Sequence, residues 1–332
     1  LKVGFVYIST PGDVGWTYAH NEGVELAKAA LEDVEVEIRE GVPEESSVAQ
    51  AKIEELVAAG CKIIFTTSFG YMDPTLAVAQ NHPSIKFEHC SGYKSAENMA
   101  NYFGRIYQSR YLSGIVAGRM SAKKSIGYVA AFPIPEVISG INAFTLGVRS
   151  VSPDATVRVE FTGTWYDPGV EGDTAQKLID AGVDVLAQHQ DTTAMVEKAK
   201  AAGIYAVGYN ADMVPFAPDT VLTGPIWNWG VYYKARIEAV RNGTWTTGSY
   251  FGSIADGIVD LGPYGNKVSQ SIKDEVAQKK AQLVAGTWDV FYGPLKKQDG
   301  SAWIAENQKL DDAAILSMSE FVEGVVGTIP AD

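Results

Sequence analysis

Residues 1–9, LKVGFVYIS, open the pattern that decides the architecture: an apolar run, an amphipathic stretch from Gly15 to Leu31, VEVEIREG at 34–41, and a second amphipathic stretch from Ser46 to Ala59. The alternation continues through KIIFTTS at 62–68, a helical stretch from Asp73 to Gln80 and IKFEHC at 85–90. Runs of Val, Ile and Phe this continuous suit strands buried on both faces, and helical stretches between them imply right-handed parallel crossovers. Ser46 and Ser47 stand where a helix cap is needed, and Gly60 stands where that helix must stop.

Residues 98–121, NMANYFGRIYQSRYLSGIVAGRMS, read as a strand and then a helix, after which the grammar restarts. SIGYVAAF (125–132), TVRVEFTG (156–163), DVLAQHQ (184–190) and YAVGYN (205–210) read as strands, separated by helices over Pro135–Ser150, Asp173–Ala181 and Thr192–Ala202. A second α/β lobe thus follows the first. The strand TVLTGPI (220–226), a helix over Val231–Asn242 and the stretch 250–290 come when that lobe is nearly complete, so they join one lobe or cross between both. Crossings near Ile106, Val221 and Gly248 give an N-terminal lobe of 1–106 plus 222–247 and a C-terminal lobe of 107–221 plus 248–332. No Pro/Gly/Ser-rich linker separates them, which favours a multiply tethered pair over independent beads. In the final segment only Asp312 to Phe321 reads as a short helix.

A chain of 332 residues, 46% hydrophobic and 20% charged, suits a globular protein of roughly two domains. Its 27 basic and 40 acidic residues leave a net charge of −13, with no basic stripe, which disfavours nucleic acid or an anionic membrane surface as partner. No apolar stretch reaches the length of a spanning helix. Leu1 already enters a strand, so a signal peptide or anchor is expected only upstream of it. Two cysteines, Cys61 and Cys90, exclude a disulfide scaffold; placed at opposite ends of neighbouring parallel strands, they are expected to remain thiols.

Much chemistry is missing. No GxGxxG follows a strand and no GxxxxGK[ST] occurs; the first loop, STPGDVGW (9–16), has two glycines at the wrong spacing, so no dinucleotide cofactor is expected. HExxH and GxSxG are absent, which removes the commonest zinc protease and α/β-hydrolase readings. Of four histidines, His82 and His89 read as loop and strand-end structure, while His20 and His189 lie where a ligand is within reach. None is placed with enough partners to bind a metal, and no catalytic residue is assigned.

Two tryptophans stand out. Trp16 in GDVGWTYAHNEG (12–23) and Trp165 in TGTWYDPG (162–169) each follow an apolar strand and sit among small and polar residues. Loops after the strands of a parallel sheet line the crevice at the strands' carboxyl ends, so two rings there can face each other across a gap and clamp something flat. The plainer alternative is that each indole covers the edge of its own sheet. Other loops at strand ends supply Phe69, Gln190, Asp191, Asn210, Asp212 and Trp227. Aromatic faces edged by amides and carboxylates suit a neutral heteroaromatic ring with donors and acceptors. Asp191 and Asp212 also fit a purely local role, capping helices and turns.

Taken together, GDVGWTYAHNEG, the run at 65–89, YLSGIVAGRMS (111–121), GTWYDPG (163–169), VGYNADM (207–213) and VLTGPIWNWG (221–230) resemble the basic membrane protein family of substrate-binding lipoproteins, which includes purine nucleoside receptors of ABC transporters. The resemblance runs from Leu1 to about Gly265. It implies an α/β fold of the periplasmic-binding-protein type I clamshell, two Rossmann-like lobes with parallel sheets joined by a multi-crossing hinge. It also implies a purine between Trp16, three positions after Asp13, and Trp165, ahead of Asp167 and Pro168. In nucleoside binders an Asp tends to stand at the position of Asn210 and a Lys at that of Trp227, where they engage ribose hydroxyls. An indole cannot serve two hydroxyls and fills sugar space, so a free base such as adenine or hypoxanthine is expected.

The resemblance further implies ABC permease subunits as partners, a monomer, and a place outside the cytoplasm with membrane contact only through an N-terminal lipid anchor absent from this chain. Rival readings are a nucleoside receptor, a ligand-sensing domain and a purine-processing enzyme. The enzyme would need a phosphate nest, a metal or a poised nucleophile, and the sequence shows none clearly.

Overall fold

The computed structural model describes residues 1–331, with the side chain of Asp13, and so its place in the resemblance, outside the described set. The chain runs β1 (Lys2–Val6), α1 (Trp16–Ala30), β2 (Glu35–Arg39), α2 (Ser46–Ala58), β3 (Ile63–Thr66), α3 (Met72–Asn81), β4 (Lys86–Cys90) and β5 (Met99–Gly104). It continues with α4 (Ile106–Met120), β6 (Ser125–Ala130), α5 (Pro135–Val151), β7 (Thr156–Phe161), α6 (Pro168–Asp180), β8 (Val185–His189), α7 (Ala194–Ala202), β9 (Tyr205–Val207) and β10 (Val221–Thr223). Then come β11 (Pro225–Trp227), α8 (Trp229–Arg241), β12 (Ser249–Gly252), β13 (Val259–Leu261), α9 (Gln270–Val284), β14 (Leu295–Lys296), β15 (Ala302–Ile304), α10 (Asp312–Leu316) and β16 (Val325–Val326).

Two compact units result, one of Leu1–Arg105 with Trp227–Ile258 and the other of Ile106–Ile226 with Val259–Asp332. The first holds a six-stranded sheet of order β12-β5-β4-β3-β1-β2, the second one of order β10-β9-β8-β6-β7-β16. All pairings described within them are parallel. Val6, Ile64 and Phe87 of the first sheet pack on Ile53, Leu56 and Val78 of its helices, and Val129, Leu186 and Ala206 of the second on Leu178 and Val196. Strands covered on both faces explain why their sequences run apolar without alternating.

Several expected boundaries move for local reasons. Helix α6 begins at Pro168, five residues before Asp173, because the Asp167 carboxylate accepts from the Gly169 and Val170 amides and Pro168 suits the first helical position. Helix α2 has Glu45 at its N-cap position with no side-chain cap, so neither Ser46 nor Ser47 has the capping role; Ser47 Oγ bonds the Glu45 carboxylate at 3.1 Å instead. β9 stops at Val207 and does not reach Asn210. Cys61 and Cys90 are buried and not in a disulfide, as their strand positions predict. Among the described residues no helix is long and apolar enough to cross a membrane.

Candidate functional site

In the first sheet β2 lies outside β1 and β4 outside β3, so the winding direction reverses between β1 and β3. Open α/β sheets take ligands beside such a reversal, at the strands' carboxyl ends. Trp16 opens α1 in the loop after β1, and its Nε1 donates to the Thr67 carbonyl of the loop after β3 at 2.6 Å. The indole is thereby tied across the reversal. Behind it Trp227 and Trp229 stack at 4.4 Å, and both meet Trp16 edge-on at 5.5 Å. Trp227 is only 6% exposed and also packs on Phe103 at 5.2 Å.

His20, one turn after Trp16, stacks on Trp229 at 4.6 Å and its Nδ1 lies 2.5 Å from the Tyr233 hydroxyl. Burial holds its pKa well below the usual range, so the ring is neutral and part of the aromatic wall. His89 is likewise buried, pushed down to about 3, and contacts Thr66 Oγ1, while His82 pairs with Glu54 at 2.9 Å. The loop after β3 is pinned by Glu44, which accepts from Ser68 Oγ at 2.5 Å and from the Gly70 amide at 2.8 Å. Phe69 stands on that loop with 41% of its surface exposed.

The second sheet reverses between β6 and β8. The loop after β6 carries Phe132 and leads into α5, whose first turn holds Glu136. The loop after β8 carries Gln190 and Asp191, and Trp165 follows β7. Trp165 meets Phe132 at 5.0 Å and His189 at 6.1 Å. His189 Nε2, at the end of β8, lies 3.5 Å from the Glu136 carboxylate in the first turn of α5, a contact across the reversal.

Around this wall the polar groups are ordered. Gln190 Nε2 donates to Thr162 Oγ1 at 2.6 Å, and Asn210 Nδ2 donates to the Asp191 carboxylate at 2.8 Å. Asn210 is fully buried at φ +70°, a left-handed backbone that Asn tolerates better than most residues. Arg110, from α4, is fully buried; its Nη1 donates to the Gln188 carbonyl at 2.6 Å and its guanidinium lies 3.8 Å from the Tyr209 ring centre. Burial raises the Glu136 pKa to about 7 against the pull of Arg110, and burial lowers that of His189, with Arg110 adding to the effect.

The residues predicted from sequence therefore fall into two groups. Trp16 and Trp227 touch in the first unit, with Phe69 on the neighbouring loop; Trp165, Gln190, Asp191 and Asn210 stand at strand ends of the second. Asp212 is exposed and accepts from the Val214 amide at 2.9 Å, the local turn role foreseen as its alternative. Phe132, Glu136 and Arg110 were not singled out by sequence. The first two lie just past β6, Phe132 closing SIGYVAAF and Glu136 in the first turn of α5, where the strand-end rule that selects Trp165 applies equally, whereas Arg110 is hidden inside the helical segment of α4.

Two α/β units, each with a six-stranded parallel sheet and aromatic side chains at its carboxyl edge, have the fold of the periplasmic-binding-protein type. The profile of the Bmp family, ABC transporter substrate-binding proteins of the PnrA-like kind, matches residues 1–287, and the chain belongs to that family. It is 45% identical over 331 residues to a purine-binding protein of Brucella abortus, covering 99% of this chain and 94% of that one. It is also 40% identical to a putative ABC transporter glucose-binding protein of Haloferax volcanii, over 100% of this chain and 82% of the relative. A solved solute-binding protein of an Aeropyrum pernix ABC transporter shares the fold, with TM-score 0.76 at 18% identity over 90% of this chain and 93% of that one. The protein is a transporter's substrate-binding component and not an enzyme.

Proposed function

We propose that this protein delivers a purine to an ABC importer on the outer side of the cytoplasmic membrane, and that the ligand is a free base such as adenine or hypoxanthine. What carries the reading is its full-length likeness to the purine-binding protein of Brucella abortus, joined to indoles at the carboxyl edge of each sheet. The indole of Trp16 supplies one ring face and that of Trp165 another, and stacking on aromatic side chains contributes roughly 1–3 kcal/mol per base. Gln190, Asp191 and Asn210 supply the hydrogen-bonding edge, with Phe69 and Trp227 completing the apolar lining. By the family resemblance Trp227 takes the position of a sugar-engaging lysine, and an indole there, packed on Trp229 and Phe103, favours base over nucleoside. Permease subunits are the partners, an N-terminal lipid is the membrane anchor, and the protein acts as a monomer without metal or cofactor.

The relative in Haloferax volcanii favours a second reading, a sugar. Titration calorimetry with adenine, adenosine and glucose separates the three. Adenine is expected to bind tightest; tighter adenosine returns the nucleoside reading, and binding of glucose alone replaces both.

A further inference from the structure

We propose that Glu136 reads the ligand: its carboxyl engages an exocyclic group on the heterocycle that Trp165 and Phe132 cover, and so sets which base is chosen. This deepens the purine reading above and rests on it. In each unit the strand order reverses once, and in each a polar contact spans that reversal. In the first the contact is Trp16 to Thr67; in the second it is Glu136 to His189, beside Trp165. Glu136 is therefore at the point of its sheet where ligands are taken.

The surroundings carry more hydrogen-bonding capacity than the protein uses. The hydroxyls of Tyr128 and Tyr209, His189 Nδ1, Gln190 Oε1, and Arg110 Nε and Nη2 are all buried without a protein partner. Buried polar atoms left so are rare and costly, and six gathered on neighbouring residues mark a place built to meet polar groups from outside the chain. Within that cluster Glu136 keeps 15% of its side chain exposed, against 4% for His189, so the carboxyl is its accessible acid. A favourable interaction with the start of α5 would account for an acid in the first turn, but not for burying it beside His189. A carboxyl that holds its proton near neutrality offers an O–H donor and a carbonyl acceptor together, the complement of an amino group next to a ring nitrogen.

The test is a cycle between the side chain and the ligand's amino group, with adenine and unsubstituted purine titrated calorimetrically into wild type, E136Q, E136M and E136A. Glu136→Met keeps the volume and apolar packing, so it reports on binding even where the alanine variant folds poorly. E136M is expected to lose about tenfold or more of adenine affinity and clearly less for purine, which keeps the ring nitrogen but has no amino group. Gln, which keeps a donor and an acceptor, is expected to restore most of the loss. Equal losses for both ligands, or none for either, overturn the role of Glu136 while leaving the purine reading intact. Wild type that binds neither ligand overturns both.

Discussion

The indole nitrogen of Trp16 donates to the main-chain carbonyl of Thr67 across 2.6 Å, tying the first helix to the loop after β3 at the reversal of strand order. The bond runs through the N–H in the ring plane, so it fixes the ring's position without engaging its faces. Trp16→Ala is accordingly expected to weaken adenine binding by roughly 1–3 kcal/mol, one to two decades in Kd. Trp16→Phe retains a ring but loses the N–H, so its loss should be smaller. Calorimetry on both variants checks the order, and unchanged binding in Trp16→Ala removes the stacking role.

Helices α1 and α8 touch through glycine, and the aromatic wall depends on it. A Cβ on Gly23 would stand 2.8 Å from both Trp229 Cβ and the Gly230 amide nitrogen, closer than real Cβ contacts allow. Gly23→Ala is expected to cost about 1–3 kcal/mol in urea unfolding and to shift the tryptophan fluorescence, because Trp229 carries Trp227 on its face. An unperturbed midpoint would mean that the crossing is looser than the geometry shows.

Much of this architecture was legible because parallel strands buried on both faces leave a continuous apolar signature, as in KIIFTTS and SIGYVAAF. Trp16 and Trp165 stood out for the converse reason, being large rings among small polar residues. Arg110 did not, since its meaning comes from Tyr209 and Gln188, which reach it only through the fold. The stacking of His20 on Trp229 is equally non-local. Helix α6 illustrates a local miss: the Asp167-Pro168 start signal was present, but the apolar stripe begins later.

Asn210 combines two demands, a backbone at φ +70° and an amide that donates to Asp191. Asn210→Gly satisfies the first and loses the second, whereas Asn210→Ala loses both. The loss of a buried hydrogen bond to a carboxylate costs roughly 1.5–3 kcal/mol, and a left-handed alanine about 1 kcal/mol more. Chemical denaturation should therefore rank wild type above Asn210→Gly and Asn210→Gly above Asn210→Ala. Equal stability of the two variants would show that the backbone conformation relaxes.

Glu136 provides a pH signature of sign opposite to that of an ordinary paired carboxylate. In the folded protein it holds its proton up to about 7, whereas in the unfolded chain a glutamate ionises near 4.3. Between those values the native state binds the extra proton, so this group's contribution to stability falls as pH rises and levels off above the folded pKa. The drop amounts to roughly 4 kcal/mol at most. His20 and His189, kept neutral by burial, act in the other direction, withdrawing stability as pH falls below the usual histidine range. Both histidines are present in E136Q, so they largely cancel when the two proteins are compared. The unfolding free energy of E136Q relative to wild type is thus expected to increase from pH 4.5 to 7.5. A difference that stays flat across that range would show that Glu136 ionises as freely in the folded protein as in the unfolded one.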